Sequence, residues 1–158
     1  MDVGVTGHQD RKGIEWSWVE DAVRAELKKL EDVKRALSCL AAGTDQVFAE
    51  VAIGLQIPVV AVVPLAGYER FFEEGSLSNY RRLLSQCEVI QLGWNGDPER
   101  AFFEAGKFIV DQCDLLFAVW DGAGAEGLGG TGDVVSYAQR KRKPVLHINP
   151  CTQIVSRI

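Results

Sequence analysis

The chain has 158 residues, enough for one domain that buries roughly two-thirds of its unfolded surface without metals or disulfides. Its 17 basic and 22 acidic residues leave a net charge of -5, which argues against a phosphate-backbone footprint and makes nucleic acid an unlikely main partner. No stretch reaches the ~20 apolar residues that cross a bilayer, and the opening MDVGVTG has neither the basic nor the apolar part of a secretory signal, so a cytoplasmic protein is expected.

Short apolar runs alternate with longer amphipathic ones, the pattern of βαβ units in a parallel sheet. A first strand is expected at Val3–Thr6, followed by a helix over Trp16–Leu30 whose apolar positions (Trp18, Val19, Ala22, Val23, Leu27, Leu30) keep helical spacing. A second strand at Arg35–Leu40 and a helix at Thr44–Leu55 come next. Val59–Val63, set between Pro58 and Pro64, is wholly aliphatic, as suits a strand covered on both faces.

The segment Gly67–Gly75 is aromatic and acidic and reads as a loop with a helical turn. A short helix at Ser78–Ser85, a strand at Glu88–Leu92 and a helix at Glu99–Gln112 follow. Leu115–Trp120 is a fifth strand, Gly130–Arg142 a helix and Val145–Ile148 a sixth strand, while Cys151–Ile158 gives no clear pattern. With no repeat, linker or low-complexity segment, residues 1–158 read as one domain: a Rossmann-like three-layer α/β sandwich with a mostly parallel sheet of about six strands.

Cys39, Cys87, Cys113 and Cys151 form no CxxC pair and have no His at zinc-ligand spacing, so they are expected as reduced structural thiols and no metal site is expected. No resident cofactor is implied either.

In an open parallel sheet a ligand lies outside the carboxyl ends of the strands, where the winding reverses. The residues just past each expected strand are Thr6-Gly7-His8, Ala41-Ala42-Gly43-Thr44-Asp45, Pro64, Gly93-Trp94 and Asp121-Gly122. The small and polar residues thus gather on one edge. The densest glycine cluster, Gly127-Leu128-Gly129-Gly130-Thr131-Gly132-Asp133, precedes a helix whose unpaired N–H groups and positive dipole end suit a phosphate. Gly129, Gly130, Thr131 and Gly132 are the expected phosphate contacts, against the alternative of a flexible turn with Thr131 as an ordinary N-cap. No Lys follows, so this is no Walker motif.

Asp133 is either a first-turn acid matched to the dipole or a group that contacts ribose or a reacting centre. Gly7 allows close backbone approach, and His8 is either a ligand contact or a loop histidine bonded to backbone. Gly43, Thr44 and Asp45 open the second helix, where Thr44 can cap and Asp45 would face sugar hydroxyls or a base N–H rather than phosphate. Asp121, with Gly122, ends a hydrophobic strand with no packing reason to be acidic, and is the stronger candidate for ribose or substrate contact. Arg81 and Arg82 either clamp a phosphate or lie on the surface, and Arg140-Lys141-Arg142-Lys143 complements a helix C-terminus. Trp94 and Trp120 are candidates to stack on a base, and His147, inside the last strand, reads as core.

Four blocks, Val3-Gly4-Val5-Thr6-Gly7-His8, Leu40-Ala41-Ala42-Gly43-Thr44-Asp45-Gln46, Asp114 through Gly122, and Gly129 through Ala138, resemble the SLOG superfamily in order along nearly the whole chain. That group joins the Lonely Guy phosphoribohydrolases, the DNA-processing protein A domain and sensor domains of bacterial conflict systems. The resemblance implies a Rossmann-like fold, frequent dimers, hence a homodimer here, and a nucleotide or NAD-derived ligand such as an ADP-ribose species, bound for sensing or sequestration. It also implies an alternative, N-glycosidic hydrolysis or transfer on a nucleoside monophosphate, with Asp133 or Asp121 as the catalytic carboxylate. The Lonely Guy motif PGGxGTxxE places its catalytic Glu three residues after the Thr, where this chain has Val134, while Asp133 comes one residue early, about 100° around a helix. The strand-five block is also similar to nucleoside deoxyribosyltransferases.

Overall fold

The structure, a computed structural model of the chain, describes residues 1–9, 11–124 and 130–158. Seven strands form one sheet: β1 (Asp2–Gly7), β2 (Arg35–Ser38), β3 (Val59–Val63), β4 (Glu88–Gln91), β5 (Leu115–Val119), β6 (Val145–Asn149) and β7 (Ile154–Arg157). Their spatial order is β4-β3-β2-β1-β5-β6-β7, parallel throughout except for the antiparallel β6–β7 pair. The expected six strands are all present. The seventh, β7, lies in the stretch that gave no pattern: its four residues are mostly exposed, and its ladder to β6, Leu146 opposite Arg157 through Asn149 opposite Ile154, holds it at the sheet edge.

Five α-helices cover the sheet: α1 (Trp16–Lys29), α2 (Thr44–Gly54), α3 (Glu74–Leu84), α4 (Pro98–Gln112) and α5 (Thr131–Arg140), with a 3-10 turn at Tyr68–Phe71 in the aromatic loop. Helix α3 starts four residues before the expected Ser78, because Leu77 N–H already reaches the Glu73 carbonyl at 2.8 Å despite Gly75 in the first turn. Helix α4 has the clearest local start signal: Asp97 accepts from the Glu99 amide, and Pro98 stands at the first helical position.

Alternation along the strands divides the core. Val3, Val5, Ala36, Ala61, Phe117 and Ile148 face a cluster built with α1, α2 and α3. Leu37, Val60, Val62, Leu116, Ala118 and Val145 face the opposite cluster, built with α4 and α5. Both faces of the central strands are therefore dry, which is why their sequences are near-continuous aliphatic runs. Gly4 is the exception that fits: a Cβ there would lie 2.5 Å from Ile109 Cγ2, so its absence lets α4 settle on β1.

Winding proceeds from β1 outward to β4, then the chain crosses to the other side of β1 and continues through β5 and β6. The reversal places a crevice between the carboxyl ends of β1 and β5, paired from Val3–Leu115 to Gly7–Val119. Among the described residues no helix is long and apolar enough to cross a membrane.

Candidate functional site

A cavity of about 630 Å³ opens at that crevice. The end of β1 contributes Thr6, Gly7 and His8, and the β2–α2 connection contributes Cys39, Ala41, Ala42 and Asp45. Tyr68, Phe71, Phe72 and Phe102 make an aromatic side, and Trp120 and Asp121 enter from the end of β5. Gly130, Thr131, Gly132 and Val134 close it at the start of α5.

Gly130 is the N-cap of α5 with extended backbone and gives no side-chain cap, and its carbonyl accepts from Asp133 and Val134. Among the described residues no backbone carbonyl accepts from the amides of Thr131 or Gly132. Two N–H groups at the positive end of a helix therefore border the cavity. Gly129, an expected phosphate contact, lies outside the described residues. Asp133 is absent from the residues lining the cavity, whereas Val134, the position three after Thr131, is among them.

His8 and Asp121 meet across the β1–β5 junction. The Asp121 amide donates to His8 Nε2 at 3.1 Å, and Arg11 Nη1 stands 3.0 Å from the same nitrogen. The Asp121 amide makes Nε2 an acceptor, while the same Arg11 Nη1 also stands 3.3 Å from Nδ1. The Asp121 carboxylate, 3.4 Å from Nε2, is then a close contact rather than the ring's acceptor. Its Oδ1 accepts from the Ala123 amide at 2.9 Å and its Oδ2 from Arg11 at 3.1 Å. The Ala123 amide above all, with the Arg11 guanidinium, holds the Asp121 carboxyl below the usual range, against the opposing effect of its partial burial.

Asp45 is the contrasting acid. It sits in the first turn of α2, only 8 % exposed, with Oδ2 accepting from the Cys39 amide at 3.1 Å. Burial pushes its carboxyl up to about 7, partly offset by hydrogen bonds from the Ala41 and Cys39 amides and the Ser38 hydroxyl. Burial likewise raises the thiol of Cys39 and the phenol of Tyr68, whose hydroxyl donates to the Cys39 carbonyl at 3.1 Å.

The other expected site residues are placed differently. Thr44 donates its hydroxyl to the His8 carbonyl and is not part of the cavity wall. Gly43 has φ 85° and ψ -123°, a conformation reserved for glycine, and borders a second, shallower groove with Trp16, Glu20 and Asn79. Gly122 has φ 87°, in the turn between Asp121 and Ala123. Arg81 pairs with Glu69, and Arg82 with Glu50 and Asn79, on the surface. His147 Nε2 bonds the Trp120 carbonyl at 2.7 Å, and the Trp120 indole donates to the Ala123 carbonyl. All four cysteines are free thiols.

Two features were missed in the sequence. Arg11 lies several residues beyond β1, outside the set next to the strand ends. The aromatic wall was visible only as an unusual composition around Tyr68–Phe72.

Neither a protein-family model nor a curated protein matches the chain. Solved structures do. DNA processing protein A from Streptococcus pneumoniae superposes with a TM-score of 0.68 at 16% identity, over 94% of this chain and 50% of that one. The Helicobacter pylori protein of the same name, described for its single-stranded DNA binding mode, gives 0.68 at 13% identity, over 94% of this chain and 65% of that one. A molybdenum cofactor binding protein from Rippkaea orientalis gives 0.57 at 14%, covering 92% and 74%. The chain shares a Rossmann-like α/β fold with them. At these identities the likeness shows the fold alone, and the chain spans only half to two-thirds of the DNA processing proteins. The expectation against nucleic acid gains no support from them, since one is described as binding single-stranded DNA.

Proposed function

We propose that this SLOG-type domain binds a nucleotide-derived small molecule, of the nucleoside monophosphate or ADP-ribose kind, as a sensing or sequestering module. The observation that carries this is the pair of amides at Thr131 and Gly132, on the wall of the switch-point cavity, that no backbone carbonyl among the described residues takes. Phosphate on those amides, with Gly7 and Gly130 giving close backbone approach, directs the rest of the ligand towards the aromatic wall, where a base finds faces to pack on. Thr44, Gly43 and Gly122 serve this site by shaping backbone rather than by contact. The cysteines and the SLOG resemblance support a cytoplasmic homodimer. Calorimetry against AMP, ADP-ribose, NAD and cyclic ADP-ribose tests the reading: micromolar binding of at least one is expected, and silence across the panel refutes it.

A second reading, N-glycosidic cleavage of a nucleoside monophosphate, draws on Asp121, an ionised carboxylate on the cavity wall. Release of free base from AMP, abolished in Asp121→Asn, is its signature. Asp133 lies off the wall and Val134 on it, which makes this the weaker reading.

A further inference from the structure

We propose that Asp45, rather than Asp121, is the carboxyl group that takes the paired hydroxyls of the ligand's sugar, so that the cavity selects ribonucleotides. This rests on the nucleotide-binding reading above and adds the part of the ligand that it leaves unassigned.

Both acids border the cavity, but their bonding capacity differs. A carboxylate can accept about four hydrogen bonds. Asp121 has both oxygens engaged, Oδ1 by the Ala123 amide and Oδ2 by the Arg11 guanidinium, and His8 packs against it. A ligand that took Asp121 would share it with a cation, the Arg11 guanidinium. Asp45 is oriented by main-chain amides at the back, from Cys39 and Ala41, and by the bond from Ser38 to its own carbonyl. Among the described residues it forms no ion pair.

The groups that surround Asp45 are acids or neutral. Cys39 follows β2, Tyr68 stands in the 3-10 turn, and Tyr80 of α3 lies behind Tyr68 with ring centroids 5.6 Å apart. Strand β3 contributes only Val and Ala, and α1 contributes Glu20 across the second groove. After β1, His8 shares Arg11 with Asp121. A buried carboxyl held only by neutral donors at its back, with no cation beside it, keeps acceptor capacity for further donors from a ligand. A vicinal diol supplies two such donors, directed at one carboxylate, without introducing a charge.

A proton balance follows. Near neutrality the empty site holds Asp45 partly as the acid, and sugar hydroxyls bind the anion. Docking therefore ionises Asp45 and releases its proton to the buffer.

The test is calorimetry of the full chain with AMP and with 2',3'-dideoxy-AMP between pH 6 and 8. Both ligands carry the same phosphate, so its own titration cancels in the ratio of their affinities. AMP should bind at least tenfold more tightly at pH 8. That preference should shrink, by up to about tenfold per pH unit, as pH falls below 7. In Asp45→Asn the preference should collapse at every pH, with circular dichroism checking its fold. The comparison of the two ligands on the unaltered protein decides the matter even if that variant fails to fold. Equal binding of AMP and the dideoxy compound at all pH values overturns the inference while leaving the nucleotide reading intact. Absence of AMP binding overturns the inference too, and silence of the whole nucleotide panel removes the reading beneath it.

Discussion

Thr44 donates its hydroxyl to the carbonyl oxygen of His8 at 2.8 Å, and its backbone amide donates to the same oxygen at 3.1 Å. This double bond of α2 to the end of β1 needs the space above Gly7. A Cβ on Gly7 would stand 2.4 to 2.6 Å from three Thr44 side-chain atoms. The two residues are thus partners in a packing device that fixes His8.

Gly7→Ala should therefore destabilise the domain by about 1–3 kcal/mol, the usual cost of overpacking a tight contact. Urea denaturation measures it. A variant as stable as the parent would mean that α2 is not seated on β1 as described.

The opposing environments of the two cavity acids give separate pH windows. Asp45 has its folded carboxyl raised from 3.8 to about 7, so its contribution to stability is full below pH 3.8 and is lost as pH rises to 7. The loss is at most about 4 kcal/mol. Asp121, held below 3.8, contributes stability present above that pH and lost as pH falls through its lowered value, outside the same window. Unfolding of the free protein measured from pH 4 to 7 should thus show stability declining with pH, and Asp45→Asn should flatten the slope. An unchanged slope in the variant would contradict the burial assigned to Asp45.

In its neutral form the ring of His8 should carry its proton on Nδ1, because Nε2 accepts from the Asp121 amide, whereas Arg11 Nη1 stands near both ring nitrogens. Nitrogen chemical shifts of the histidine ring at neutral pH distinguish the tautomers, and a protonated Nε2 would contradict the geometry.

Helices α4 and α5 touch at Gly106, where a Cβ would lie 2.6 Å from Val134 Cγ2. Gly106→Ala should cost about 1–3 kcal/mol. Adding Val134→Ala, which removes the methyl in the way, should recover part of it, a coupling that a double-mutant cycle reads directly.

Much of the architecture was legible because β3 and β5 are buried on both faces and written in apolar runs, while β1, β2 and β6 carry shorter apolar stretches that alternate with amphipathic helices. Edge strand β7 was not, since Ile154 is exposed and the strand is held by its ladder to β6. For the site, the topological rule located the rim: Gly7, His8, Asp45, Asp121, Gly130, Thr131 and Gly132 all border the cavity. It could not tell a glycine needed by a ligand from one needed by a neighbour, as at Gly43 with its positive φ. Nor could it foresee which face of α5 meets the cavity, or that Arg11 folds back onto Asp121 from beyond the strand end. Those follow from packing between segments about a hundred residues apart.

The most direct test of the amide cradle is calorimetry with AMP on Thr131→Pro beside Thr131→Ala. Proline fits the first position of a helix, and extended Gly130 suits the residue before it, so the helix is kept while one donor is removed. Thr131→Ala removes the hydroxyl and keeps the donor. Both variants should melt like the parent. Thr131→Pro should lose about tenfold or more in affinity, as expected for one hydrogen bond to a charged group, and Thr131→Ala much less. AMP bound by Thr131→Pro as tightly as by the parent would contradict the placement of phosphate at the start of α5.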